Sequence, residues 1–143
     1  MDEAETSPAT GAEVQYLELV EAISDYAVYR IDRDGLIQSW NSGAERIEGF
    51  SAADVLGQHF SILYDARERE ARLPDGQLEV AADEGRYEGE VWHVRKDGAR
   101  IWTRITINAI KGADGETTGF AVISRDFTER QRAQSVLNDS AEQ

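Results

Sequence analysis

The chain has 143 residues, no cysteine and a formal net charge of −13, from 28 acidic and 15 basic side chains. That length suits one domain with a single sizeable core, and the lack of cysteine removes disulfides, thiolate metal sites, thiol nucleophiles and cysteine–flavin photoadducts. The acidic excess opposes contact with nucleic-acid backbones; its bland reading is solubility through net charge, and its sharper reading, given two lysines against thirteen arginines, is a salt-adapted cytoplasm.

Residues 1–12, with Pro8 and Gly11, are polar and acidic and lack both the basic start and the apolar core of a secretion signal. They are expected to form a disordered leader of a cytoplasmic protein. Val14, Leu17, Val20 and Ile23 recur at helical spacing and predict an amphipathic helix over 13–24. Its apolar stripe must cover the sheet, a second copy of itself, or both. Tyr26–Ile31 is rich in aromatic and β-branched residues and predicts a strand. Asp34-Gly35 turns the chain, and Leu36–Trp40 is expected to return as a second strand.

Residues 41–85 change character and predict a chain of short helices and loops. Asn41 begins the first, with Ser42 and Glu45 at capping-box spacing and Gly49 at its end. Ser51 with Asp54 repeats the start signal. Asp65–Arg72 carries opposite charges at helical spacing and predicts a solvated face. Pro74 opens a further helix, with Leu78, Ala81 and Ala82 as apolar positions and Gly85 as its stop.

From Arg86 the period returns to two. Arg86–Arg95, Ala99–Ile110 and Thr117–Asp126 predict three antiparallel strands joined by Asp97-Gly98 and Asp114-Gly115 turns. Ile101, Thr103, Ile105, Ile107 and Ala109 face a core, and Trp102 stands among polar residues on the other side. Both parities are apolar in Phe120–Ile123, so that strand is expected mid-sheet with cover on both faces. Four apolar residues fall far short of a bilayer span, so no membrane insertion is expected. Asp126–Arg130 then passes from strand to a polar helix, expected over 128–143. Asp126 can cap it, with Glu129 at capping-box spacing, or Thr128 can. Ala133, Val136 and Leu137 form a narrow apolar seam too short to establish heptads.

These pieces together resemble the PAS sensor family. They are Asp34-Gly35-Leu36-Ile37, Trp40-Asn41, Gly43-Ala44-Glu45-Arg46, Gly49-Phe50, Leu56-Gly57-Gln58-His59-Phe60, Gly85–Gly89, Arg95–Gly98 and Asp126–Arg130, in that order. The resemblance implies an α+β fold over 25–127. It has a five-stranded antiparallel sheet of order 2-1-5-4-3, short helices forming a pocket over one face, and an exit helix that carries a signal to an effector domain of the same polypeptide. It also implies a sensory and dimerisation module, as found in sensor histidine kinases of two-component systems and related transducers, and not an enzyme. Any kinase domain would lie outside this chain.

On that reading the pocket residues are Asn41, Ile62, Leu63, Ile105, Ile107 and Ile123. The relay residues are Asp126, Thr128, Glu129 and Arg130. The outer, dimer-forming face holds Val14, Leu17, Trp92 and Trp102, since tryptophan is enriched at interfaces. Asn41 is read first as a capping residue and only second as a ligand contact. His59 and His93 are isolated histidines without a pairing that would hold zinc. Haem-binding relatives place a histidine on the helix before the third strand, and 74–85 has none. A flavin- or haem-bearing redox or gas sensor is the alternative; flavin-binding relatives carry tryptophan in the region just before the third strand, where this chain has Tyr87, so that match is incomplete. An empty or small-ligand pocket is favoured over either cofactor, and a ligand-free protein-interaction domain is the remaining alternative. No triad, metal cluster or phosphate loop points to catalysis.

Overall fold

The computed structural model describes Gln15, Glu18, Leu19 and residues 25–142, with side chains through Asn138. The expected leader and most of the expected helix over 13–24, including Val14 and Leu17, lie outside the described residues.

The sheet is antiparallel and has four strands in the order β1-β4-β3-β2. They are β1 (Ala27–Asp32), β2 (Arg86–Val94), β3 (Arg100–Lys111) and β4 (Thr117–Asp126). This corrects the expected five strands. Leu36–Trp40 makes only isolated bridges, Ile31 with Ile37 and Leu36 with His59. The reason lies in its side chains. Val28 N–H donates to Asn41 Oδ1 and Arg30 N–H to Ser39 Oγ, each at 2.9 Å, where a ladder would use backbone carbonyls. Ile37 turns its own N–H away, to Gln58 O. Removing that edge strand leaves the neighbour relations of the other four as expected.

The Asp34-Gly35 turn forms with Asp32 Oδ1 accepting from Asp34 N and Leu36 N, both at 2.9 Å. Gly35 sits at φ +88°, and a Cβ there would lie 2.5 Å from His59 Nε2. Both the backbone conformation and the close approach therefore demand glycine.

Between β1 and β2 run α1 (Ser42–Glu48), α2 (Ala52–Val55), a 3₁₀ turn (Phe60–Leu63), α3 (Ala66–Glu70) and α4 (Leu73–Glu84). The cap of α1 is Asn41, whose Oδ1 accepts from Ala44 N, and not the Ser42–Glu45 pair. Ser51 and Asp54 do form a reciprocal capping box on α2. None of the residues of α3 is buried, in keeping with a solvated charged face. Gly85 closes α4 in the left-handed region.

This helical block lies on one face of the sheet. Ala44, Ile47, Val55, Phe60, Leu63, Leu78 and Ala81 join Tyr29, Ile31, Ile105, Ile107 and Val122 in one core. The other face carries Trp92, Trp102, Arg104, Thr106 and Ile123, with Trp92 opposite Trp102 and Thr106 opposite Ile123 across the ladder. β4 does run mid-sheet, but Ile123 is 42% exposed. No described residue supplies its expected second cover. The exit helix, α5 (Thr128–Glu142), follows β4 after one residue. No described helix is long and apolar enough to cross a membrane.

Candidate functional site

Three regions bear on function: the core face beneath the helices, the outer sheet face, and the junction of β4 with α5.

Of the expected pocket residues, Leu63, Ile105 and Ile107 are fully buried in the shared core, and Ile62 packs partly buried against it. Asn41 is buried and engaged with backbone. Besides Val28 N and Ala44 N, it donates from Nδ2 to Tyr26 O at 3.2 Å. Ile123 does not join them. Its ladder partner is Thr106, whereas Ile105 and Ile107 pair with Ser124 and Val122, so it stands on the opposite face. The apolar alternation of β4 allowed either parity to point inward, and only the register decides.

The core holds a polar cluster that sequence reading missed. Glu48 and His93 are both fully buried, and His93 Nδ1 lies 2.9 Å from Glu48 Oε2. Tyr64 donates to Gln77 Oε1 at 2.5 Å, and its ring meets His93 edge to face with centroids 4.9 Å apart. Phe60 packs edge to face on Tyr64 at 5.4 Å. These crossed rings pack against one another in the core beneath the helices. His59 is engaged elsewhere: its Nδ1 accepts from Ser61 N, and its Nε2 faces Asp75 at 3.7 Å. Among the described residues no group of three or more histidines, cysteines or carboxylates gathers as a metal site.

Burial pushes the hydroxyls of Tyr29 and Tyr64 well above the ordinary phenol range, and the nearby Glu48 carboxylate adds to both. A raised value in the fold means that these groups favour folding fully below the unfolded phenol value of about 10, and that this contribution is lost as pH rises through the folded values. The expected result is alkaline unfolding in which phenolate absorbance from these two tyrosines appears together with loss of the circular dichroism signal. Tyr29→Phe should move that transition upward in pH. Ionisation of both tyrosines in a still-folded protein would contradict it. At the acid end, Asp54 is held below the usual carboxylate range by the Lys96 ammonium and by Ser51 N–H. Its contribution is present above that range and fades as pH falls through the lowered value.

On the outer face Trp92 and Trp102 meet at 66° with centroids 4.9 Å apart. Arg100 lies 4.5 Å over the Trp92 ring, and Trp102 Nε1 donates to Glu90 Oε1. A concavity of about 310 Å³ is bounded by Tyr26, Arg104, Thr106, Ile123, Arg125 and Phe127. A second, of about 330 Å³, lies where Trp102 and Glu90 meet Phe127, Arg130 and Gln134 of the exit segment.

The junction ties α5 to two strands. Asp126 Oδ1 accepts from Thr128 N at 2.8 Å, so Asp126 satisfies one of the free amides of the first turn. Thr128 does not cap its own helix. Its Oγ1 accepts instead from Trp102 N at 3.0 Å, while Phe127 N donates to Trp102 O at 2.7 Å. One side chain, Thr128, and one backbone amide, Phe127 N–H, thus replace strand continuation with a cross-link to β3. Arg125 and Arg130 both lie over the Phe127 ring, at 5.6 and 5.4 Å, and Arg125 also covers Tyr26 at 5.4 Å. Such contacts contribute about 0.5–1 kcal/mol each at exposed sites. Arg130 is therefore bound into the junction. Glu129 is at the first turn of α5, where its charge suits the helix dipole.

A half-wrapped antiparallel sheet, short helices on one face and an exit helix bonded to the central strands define a small α+β module. The PAS domain family profile matches residues 25–129. The chain belongs to the PAS domain family. It is 39% identical over 122 residues to two-component system protein A of Emericella nidulans, covering 85% of this chain. It spans only 18% of that relative's length. Among solved structures, the PAS domain of a Colwellia psychrerythraea protein superposes with a TM-score of 0.74 at 25% identity, over 81% of this chain and 97% of that one. An RNA-binding light-oxygen-voltage receptor shares the fold at 0.74 and 22% identity, over 95% of this chain and 41% of the receptor. So does the PAS domain of a LuxR-family transcriptional regulator from Burkholderia thailandensis, in complex with ethanol, at 0.62 and 18% identity, over 76% of this chain and 95% of that one.

Proposed function

We propose that this domain is a cytoplasmic sensory and dimerisation module of a two-component signalling protein, and that it passes a change in its core or at its sheet interface to an effector domain through α5. The observation that carries the reading is the bonding of the exit segment to both central strands. Asp126 holds Thr128 N, and Thr128 holds Trp102 N. A shift of β3 against β4 would therefore move the start of α5, with Arg130 following through Phe127 and Glu129 through the first turn. Similarity to a two-component protein supports the class of output. Asp126→Ala in the polypeptide that joins this domain to its effector tests the reading. Output should settle at one level whatever the stimulus, and normal regulation would defeat it.

The outer face supports dimerisation. Ile123 is exposed on the same sheet face as the Trp92–Trp102 pair, and Val136 and Leu137 on α5 are 63% and 65% exposed. A second copy is the occupant that would cover both the sheet and the seam. Val14 and Leu17 belong to the same proposed interface. Ile123→Arg should weaken self-association at least about tenfold, as truncating a central interface anchor does. Sedimentation equilibrium measures it, and an unchanged dimer constant would remove this face from the interface. The inner ligand site retains Ile62, Leu63, Ile105 and Ile107 as its proposed walls. A small molecule would have to displace or insert among these packed groups.

A further inference from the structure

The buried Glu48–His93 pair has no part in the relay just described, and its chemistry is specific. Glu48 ends α1 and His93 lies near the end of β2, 45 residues apart in sequence. Both side chains are 0% exposed. Glu48 Oε1 and His93 Nε2 have no hydrogen-bond partner. Among the described residues His93 is the one group in ion-pair reach of the Glu48 carboxylate.

The groups facing the pair from each neighbouring element cannot balance a charge there. β1 presents Tyr29, and Tyr64 follows directly on the 3₁₀ turn as its cap, both held as neutral phenols by burial. Glu68 of α3 and Tyr87 of β2 act on Tyr64 and add only negative or neutral character. Gln77 of α4 is uncharged; its Oε1 accepts from Tyr64, and its Nε2 has no hydrogen-bond partner. β3 offers Ile101, directly opposite His93, and Thr103, whose hydroxyl donates to Val91 O. Arg95 lies two residues beyond His93 in the chain. It donates to Arg46 O and Ile47 O and so caps the end of α1 instead of the carboxylate.

Three proton counts are open to the pair. With one shared proton it is neutral overall, whichever group carries it. Without that proton a single carboxylate charge remains in the core, and with a second proton a single imidazolium remains. Burying one uncompensated ion is far more costly than burying a matched pair. Histidine is the side chain that ordinarily exchanges its proton near neutral pH. We propose that Glu48 and His93 form a proton-binding site, a latch that holds the end of α1 against β2 only while the pair carries one shared proton, so that this domain responds to acidity at its core. On alkalisation His93 gives its proton to solvent, the Glu48 charge is left alone, and the end of α1 loosens so that water can reach it. The proposal concerns this junction alone and does not rest on transmission through α5.

The test follows both histidine rings by NMR from about pH 5 to about pH 9 and, on the same samples, amide exchange corrected for its intrinsic pH dependence. His59, the other histidine, reports on a partly exposed ring. Loss of the His93 proton should coincide with at least a roughly tenfold rise in exchange across Ser42–Glu48 and Arg86–Val94, with the centre of β4 unaffected. In Glu48→Gln the pair needs no shared proton for neutrality, and the step in exchange should vanish. If that variant does not fold, the E48L/H93L double substitution removes both charges at similar volume, and its exchange profile should be flat with pH. A His93 titration without any step in α1 or β2, or a step that survives in either variant, overturns the latch.

Discussion

Asn41→Ala should cost about 3 kcal/mol of stability and lower the melting temperature by about 10 °C. One side chain serves three backbone groups: its Oδ1 accepts from Val28 N and Ala44 N, and its Nδ2 donates to Tyr26 O. Truncation leaves a buried helix amide at Ala44 without its cap, which alone is worth about 1 kcal/mol. It also leaves Val28 N, a group that belongs to the edge of the sheet, facing a methyl group. Water cannot easily replace these contacts, because Asn41 is only 3% exposed. Asn41→Asp keeps the acceptor oxygens but loses the donor to Tyr26 and buries a charge, so it should fall between the two. Chemical denaturation measures all three proteins. A loss below about 1 kcal/mol for the alanine variant would mean that the three bonds are not held in solution. Should Asn41 also contact a ligand, its loss would lower ligand affinity by more than the stability change accounts for.

The same residue shows how far the sequence could be read. The Asp34-Gly35 turn, the three late strands and the stops at Gly49 and Gly85 follow from local chemistry, and local chemistry is visible in sequence. The strand expected at Leu36–Trp40 fails because Ser39 and Asn41 offer side-chain oxygens to β1 in place of carbonyls. Alternation carries no record of such a substitution. Ile123 was placed inward because both parities of β4 are apolar, and register with Thr106 puts it outward. Glu48 and His93 were missed for a different reason. Each looks like a surface residue alone, and their meeting spans 45 residues. Signals were nonetheless present. Ala44, Ile47 and Glu48 share one face of α1 at helical spacing, and His93 shares the parity of buried Val91. A charge on the apolar face of a short helix and a histidine in phase with a core strand residue are a pair worth seeking. The junction of β4 with α5 at Asp126–Arg130 was legible, but the bond from Trp102 N to Thr128 was not, since it depends on how β3 lies beside the end of β4.

That bond sets the second large effect. Thr128→Val keeps the shape and β-branching of residue 128 and removes the oxygen that accepts from Trp102 N. The Trp102 amide is only part-buried there, so water can partly replace the lost acceptor and the stability cost should stay near 1 kcal/mol. Function should respond far more. Coupling between sites typically amounts to 1–3 kcal/mol, which is about 5- to 150-fold in an equilibrium. A contact that joins β3 to α5 in one signalling state and breaks in the other would hold a large share of it. In the polypeptide carrying the effector, Thr128→Val should cut the ratio of stimulated to unstimulated output by about tenfold, while thermal melting changes little. Asp126→Ala acts on the same turn from the β4 side, since it frees Thr128 N. Because the two substitutions share one turn, the double variant should lose little more than either single one, as residues acting as a unit do. Ser135→Ala, exposed two turns further along α5, should leave the ratio unchanged. If Thr128→Val and Asp126→Ala each preserve the ratio, the exit helix is anchored to the sheet but reports nothing. If the double variant instead loses the sum of the two, the turn is not a single mechanical element, and the strands reach α5 by separate routes.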